Sequence, residues 1–171
     1  MGEILQGFFH AKKEDMMGRT NRRRRPEAVI DPPARRSRNI DVHRMDIWFV
    51  ELGKHPGTSV QEGCRPVLVI SADDLNDRSR IVTVLPMTSK LKKEWMATHI
   101  PLSEEEIEKA EDYGYFDPSM VLAEQVTTVD KRQFRSYVGR VIHEGKIKEL
   151  EGAAMAQLGM KEGNTNEDYH V

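Results

Sequence analysis

The sequence predicts a mainly β domain with short helices, an α+β mixture folded as a small barrel-like sheet and followed by one C-terminal helix. Three observations carry that prediction. Short runs rich in β-branched and aromatic residues recur between turn-forming stretches of Gly, Pro, Asp and Ser. These runs do not alternate with helices in the rhythm of a parallel sheet, and no internal repeat is present. Near the end, Ile147, Leu150, Ala154 and Leu158 fall on one side of a helix.

The elements follow in order. Residues 45–52 hold Ile47, Trp48, Phe49 and Val50 and predict a strand. Residues 53–64, with three glycines and a proline, predict a loop. Residues 63–71 organise the chain: Val67, Leu68, Val69 and Ile70 form a buried strand, with Pro66 near its start, where a missing N–H is tolerated. Residues 72–78 are polar and predict a helical turn. Residues 80–87 predict a third strand, in which Pro86 implies an edge or a terminated ladder. A loop opens at 88–90, and 98–102 predict a short strand. Ser103 and Glu106 have capping-box spacing, predicting a helix that ends by Gly114. Residues 119–125 and 126–129 are strand-like, 131–134 predict a helical turn, and 137–142 predict another strand.

Charge divides the chain. Residues 1–44 hold 11 Lys/Arg against 6 Asp/Glu, net +5, while the remainder holds 15 against 22, net −7. Arg22 to Arg25, Pro32, Pro33, Arg35, Arg36 and Arg38 predict a basic, disordered tail over 1–44. Such a tail is either a nucleic-acid arm or a solvated linker. The folded domain spans 45–159, and 160–171 form a polar tail.

Composition excludes several function classes. The single cysteine, Cys64, forbids an internal disulfide, and no Cys/His pattern has zinc-ligand spacing. No catalytic triad, phosphate loop or dinucleotide fingerprint is present, so the residues imply no metal and no cofactor. No apolar run approaches membrane-spanning length, which predicts a soluble cytoplasmic protein.

Few side chains offer chemistry. Arg65 stands where loop meets strand, either as a fixed cation for an anion or as a side chain reaching to solvent. The thiol of Cys64 beside it reads as structural, because no histidine partner is in view. His99 reads as a packed or surface histidine rather than a base, and Glu104 to Glu106 as first-turn helix charges. Trp95, Met96 and Met155 read as packing groups, although Trp95 falls in a predicted loop, where it offers a face for stacking on a base.

Four blocks in order resemble the MazF/PemK family of toxin–antitoxin ribonucleases: residues 46–49 (DIWF), 63–71 (GCRPVLVIS), 84–90 (VLPMTSK) and 121–131 (VLAEQVTTVDK). The match is collinear from residue 45 to about 159. The resemblance implies an SH3-like/CcdB-like small barrel, a homodimer, cleavage of single-stranded RNA, and silencing by a cognate antitoxin. It puts the catalytic roles on Arg65 and Thr88 and RNA-contacting roles on Ser59, Gln61 and Gln125. Two positions depart from the family pattern: Met45 replaces a frequent Gly, and Glu62 replaces the first of a Gly-Gly pair before the arginine. Retention of Arg65 and Thr88 favours a ribonuclease over a non-catalytic CcdB-like binding module acting on a protein target.

Overall fold

The computed structural model describes residues 40–91 and 93–160. Most of the basic tail and nearly all of the C-terminal polar tail lie outside the described residues. Among the described residues there are eight strands: β1 (Asp46–Glu51), β2 (Cys64–Val69), β3 (Ile81–Thr88), β4 (His99–Leu102), β5 (Ile107–Lys109), β6 (Ser119–Leu122), β7 (Thr127–Asp130) and β8 (Phe134–Val141). Two α-helices join them, α1 (Asp73–Arg78) and α2 (Glu144–Gln157). All strand pairs are antiparallel, in the order β4-β6-β3-β2-β1-β8-β5, with β7 also paired to β3.

Side chains alternate between two faces along each strand, and both faces are buried. On one face Ile47, Leu68, Leu85, Met87, Val121 and Val138 pack with Leu150 and Ala153 of α2. On the other, Val50, Val67, Val69, Val82, Val84, Val129 and Phe134 form a second core. Each fully buried side chain of this size stabilises the fold by about 1.5–3 kcal/mol. Double burial explains why β2 reads as a continuous apolar run rather than an alternating one.

Pro86 is not on an edge strand, and it stands where a ladder terminates, as expected: the β2–β3 pairing runs from Val69–Val84 to Val67–Pro86 and stops there. The partners of β3 on one side run from Ile81 to Val84 with β7 and resume at Met87 with β6. Leu85 and Pro86 fall in the gap, where no ladder bond is required on that side.

Three elements differ from the sequence reading. The predicted helix after Ser103 is a single 3₁₀ turn, Glu104–Glu106. Its capping box forms, with the Ser103 N–H donating to a Glu106 carboxylate oxygen at 2.7 Å. The turn then stops because Ile107 is buried and pairs with Val141 as β5. β8 can lie this close because residue 139 is glycine. A Cβ there would stand 2.3 Å from the Glu108 carbonyl oxygen. The second difference is that the strand over 119–125 ends at Leu122, and Ala123–Gln125 turn as a 3₁₀ segment. The third is that Leu158 lies past α2 and is exposed, so the core side of α2 is Leu150 and Ala153 with Ile147 against them.

The tail boundary also moves. Ile40 and Val42 pack into the second core, Val42 almost completely buried. The Arg44 N–H donates to Asp73 at 2.6 Å, and its guanidinium bonds the Ile70 carbonyl and pairs with Glu151 at 3.0 Å. Residues 40–44 therefore belong to the domain, because two apolar side chains and one multiply bonded arginine offset their ordering entropy. Among the described residues no helix is long and apolar enough to cross a membrane.

Candidate active site

Arg65 is the second residue of β2 and pairs with Val50 of β1. Its Nε donates to the Glu62 carbonyl at 3.0 Å. Among the described residues its two terminal nitrogens make no hydrogen bond, which leaves the fork edge of the guanidinium available to an anion. Thr88 ends β3, paired with Met120 of β6. Its Oγ1 accepts the Lys90 N–H at 3.2 Å, so the hydroxyl proton remains available for donation.

Strand register relates the two. Val67–Pro86 is the last β2–β3 pair, and extending that antiparallel register two residues beyond it sets Arg65 across from Thr88. The period of two puts both on the face of Val67 and Val84, beyond the end of the second core. A cation and a hydroxyl thus share one face at neighbouring strand ends, fixed by a buried sheet rather than by a free loop.

The loop after β1 closes over the same end. The Gly63 N–H donates to the Gly53 carbonyl at 2.7 Å and the Leu52 N–H to the Gly63 carbonyl at 3.0 Å. The His55 N–H donates to Glu62 Oε2 at 2.8 Å. Gln125, in the turn after β6, then latches the loop tip. Its Oε1 accepts the Gln61 N–H at 2.8 Å and its Nε2 donates to the Ser59 carbonyl at 3.2 Å. A cleft of about 130 Å³ lies beneath, lined by Leu52, His55, Gln61, Pro86, Gln125 and Thr128 among others. Ser59, Gln61 and Gln125 are therefore one hydrogen-bonded group, separated by more than 60 positions in sequence.

Other candidates have structural partners. Burial pushes the Cys64 thiol up, and Glu51 adds to the shift against the opposing charge of Arg135, so the thiol stays protonated near neutrality. His99 is buried, with Nε2 2.9 Å from Glu124 Oε1, tying β4 to the turn that carries Gln125. Glu104 bonds Lys109, whose ammonium holds its carboxyl below the usual range. For Glu106, burial raises the carboxyl, but the Ser103 N–H and hydroxyl together with Lys146 outweigh it and lower it. Trp95 is not a packing group: 83% of it is exposed.

Sequence reasoning missed His55 and the part played by Glu62. Glu62 stands out as a departure from the family pattern, and its carboxylate cinches the loop rather than facing Arg65. No local signal marks His55, because its partner lies seven residues away across an irregular loop.

Fold and site together define a class: a small antiparallel half-barrel sheet with a C-terminal helix and with an arginine and a hydroxyl at adjacent strand ends beside a latched loop. Residues 43–158 match the model of the family described as PemK-like, MazF-like toxin of type II toxin–antitoxin system. The chain is 32% identical over 129 residues to an endoribonuclease MazF of Staphylococcus epidermidis, a match covering 75% of this chain and 98% of that protein. Its fold resembles MazF from Deinococcus radiodurans (TM-score 0.55, 21% identity, covering 71% of this chain and 99% of that one). It also resembles the Mycobacterium tuberculosis toxin MazF-mt6 (TM-score 0.51, 20% identity, covering 68% and 98%). A mycobacterial endoribonuclease solved in complex with its cognate antitoxin matches at a TM-score of 0.50 and 17% identity, covering 71% and 96%. The chain belongs to the PemK-like, MazF-like toxin family.

Proposed function

We propose that this chain is an endoribonuclease toxin that cleaves single-stranded RNA in the cytoplasm, works as a homodimer and is silenced by a cognate antitoxin. The observation that supports the reading is that Arg65 and Thr88 stand at neighbouring ends of β2 and β3, each two residues beyond the last β2–β3 pair, Val67–Pro86. Family membership and the named activity of the staphylococcal relative support it.

The chemistry uses what the face presents. The ribose 2′-oxygen attacks the adjacent phosphorus, the P–O5′ bond breaks, and the products are a cyclic 2′,3′-phosphate and a 5′-hydroxyl. The 2′-OH proton leaves to a base, and the departing 5′-oxygen acquires one. The free edge of Arg65 binds two phosphate oxygens and stabilises the charge that develops there. Thr88 donates its hydroxyl proton to a substrate oxygen. Arginine stays charged at neutral pH, so it serves as electrostatic stabiliser and proton donor, not as base. Because the substrate supplies its own nucleophile, no metal-activated water is needed. The RNA-contacting roles fall on Ser59, Gln61 and Gln125, which the Gln125 amide ties into one group.

The alternative, a CcdB-like module acting on a protein, needs a C-terminal helix that contacts the target, and the apolar face of α2 is accounted for by core packing. Leu150 and Ala153 are committed to the core. The test is cleavage of a labelled RNA by the purified chain and its variants. Arg65→Ala should lose on the order of 10²–10³-fold in rate. Arg65→Lys should also be poor, because a point charge does not reproduce the fork. Thr88→Ser should keep much of the activity that Thr88→Ala loses. Unchanged cleavage by Arg65→Ala would move the chemistry elsewhere.

A further inference from the structure

We propose that Trp95 is a stacking platform for an unpaired base next to the scissile phosphate, an inference that rests on the RNA-cleavage reading. The two tryptophans have opposite surroundings. Trp48 is half-buried, its ring 5.6 Å from that of Phe134 and 5.0 Å from that of Tyr137. Trp95 is 83% exposed, the most exposed of the large apolar side chains among the described residues. A whole indole face in water is a surface to be covered rather than part of the fold.

Its position says by what. Trp95 lies seven residues after Thr88 on the same loop, and the start of that loop is tied to the proposed catalytic hydroxyl by the Lys90 N–H. Its backbone is fixed on either side. Lys93 adopts a left-handed conformation (φ 55°), the Met96 N–H donates to the Lys93 carbonyl at 2.9 Å, and the His99 N–H donates to the Met96 carbonyl at 3.0 Å. A turn held by main-chain bonds presents the side chain without packing it. Around it the sequence supplies Lys90, Lys92 and Lys93 against a single Glu94, within a domain that is otherwise acidic.

Lysines close in sequence to one exposed aromatic ring are a combination suited to single-stranded nucleic acid: charge follows the backbone while a base stacks on the ring. The lysines and the continuity with Thr88 favour RNA over an apolar protein contact. Stacking is indifferent to base identity, so Trp95 strengthens binding without choosing the cleavage motif. It also explains a preference for single strands, since a base inside a duplex has no free face.

The experiment pairs two readouts on the full-length chain. The first is intrinsic fluorescence and its accessibility to iodide, titrated with an uncleavable 2′-O-methyl RNA oligonucleotide. RNA should quench the exposed tryptophan and shield it from iodide, and Trp95→Phe should abolish that response. The second is steady-state cleavage. Trp95→Ala should raise KM by about 5- to 100-fold with kcat little changed, and Trp95→Phe should restore most of the loss. Wild-type protein that cleaves RNA while its fluorescence is unaffected, with KM unchanged in Trp95→Ala, overturns the inference alone. A ring already shielded from iodide in free protein, in an assembly that Trp95→Ala dissociates, makes it a self-association surface instead. Wild-type protein that neither binds nor cleaves RNA removes the ribonuclease reading, and this inference with it.

Discussion

Met45 occupies a backbone position suited to glycine. Its φ is 67°, its N–H donates to the Val69 carbonyl at 2.9 Å, and its carbonyl accepts from the Val141 N–H at 3.0 Å. Both bonds hold the start of β1 between β2 and β8, so the strained conformation cannot relax. The left-handed region costs a non-glycine residue about 1–2 kcal/mol. The side chain is buried in the first core, and removing such a group costs about 2–5 kcal/mol. Burial therefore outweighs strain, and Met45→Gly should destabilise the domain by about 1–3 kcal/mol in urea unfolding. A more stable glycine variant would show that strain dominates. Residue identity was legible here, because Met45 stood out against the family pattern, but its φ was not. The strand-end placement of Arg65 and Thr88 was legible because the composition of both strands is unmistakable, whereas their roles come from the family resemblance alone. Trp95 was misread because an aromatic residue in a loop gives no sign in sequence of whether it packs or faces solvent.

The elements that sequence resolved are those whose signal is local. β1, β2, β3 and β8 announce themselves by β-branched runs, and α2 by a run rich in helix-forming residues, although its predicted apolar face was only half right. The segment after Ser103 did not. Its capping box is real, but Ile107 gains more from burial and pairing with β8 than a helix would return. The loop over 53–63 was equally opaque, since its shape is set from outside by Gln125. That latch yields a prediction. Gln125→Ala removes two hydrogen bonds, each contributing about 0.5–1.5 kcal/mol, from a loop with little apolar burial of its own. The Gln61 amide should exchange with deuterium roughly ten- to hundredfold faster by that arithmetic, RNA cleavage should weaken, and the global unfolding transition should hardly move. Loss of the global transition would make Gln125 a core residue rather than a latch.

At the scale of the molecule, the boundary between tail and domain decides what can be removed. Deleting residues 1–39 should leave the melting temperature close to that of the full chain, since Val42 and Arg44 remain. Deleting 1–44 should cost about 2–5 kcal/mol, from the lost burial of Val42 and the lost bonds of Arg44. Equal melting of both truncations would return residues 40–44 to the tail. If the basic residues touch RNA, the shorter deletion should also flatten the salt dependence of binding.

The proposed function stands on the Arg65–Thr88 face cleaving RNA with the substrate's own 2′-hydroxyl. End-group analysis of a labelled single-stranded RNA, cut by the purified chain in excess EDTA, tests it most directly. The account predicts fragments ending in a cyclic 2′,3′-phosphate and beginning with a 5′-hydroxyl, with no cutting of DNA. Fragments carrying 5′-phosphates, or cleavage that requires added magnesium, would contradict it.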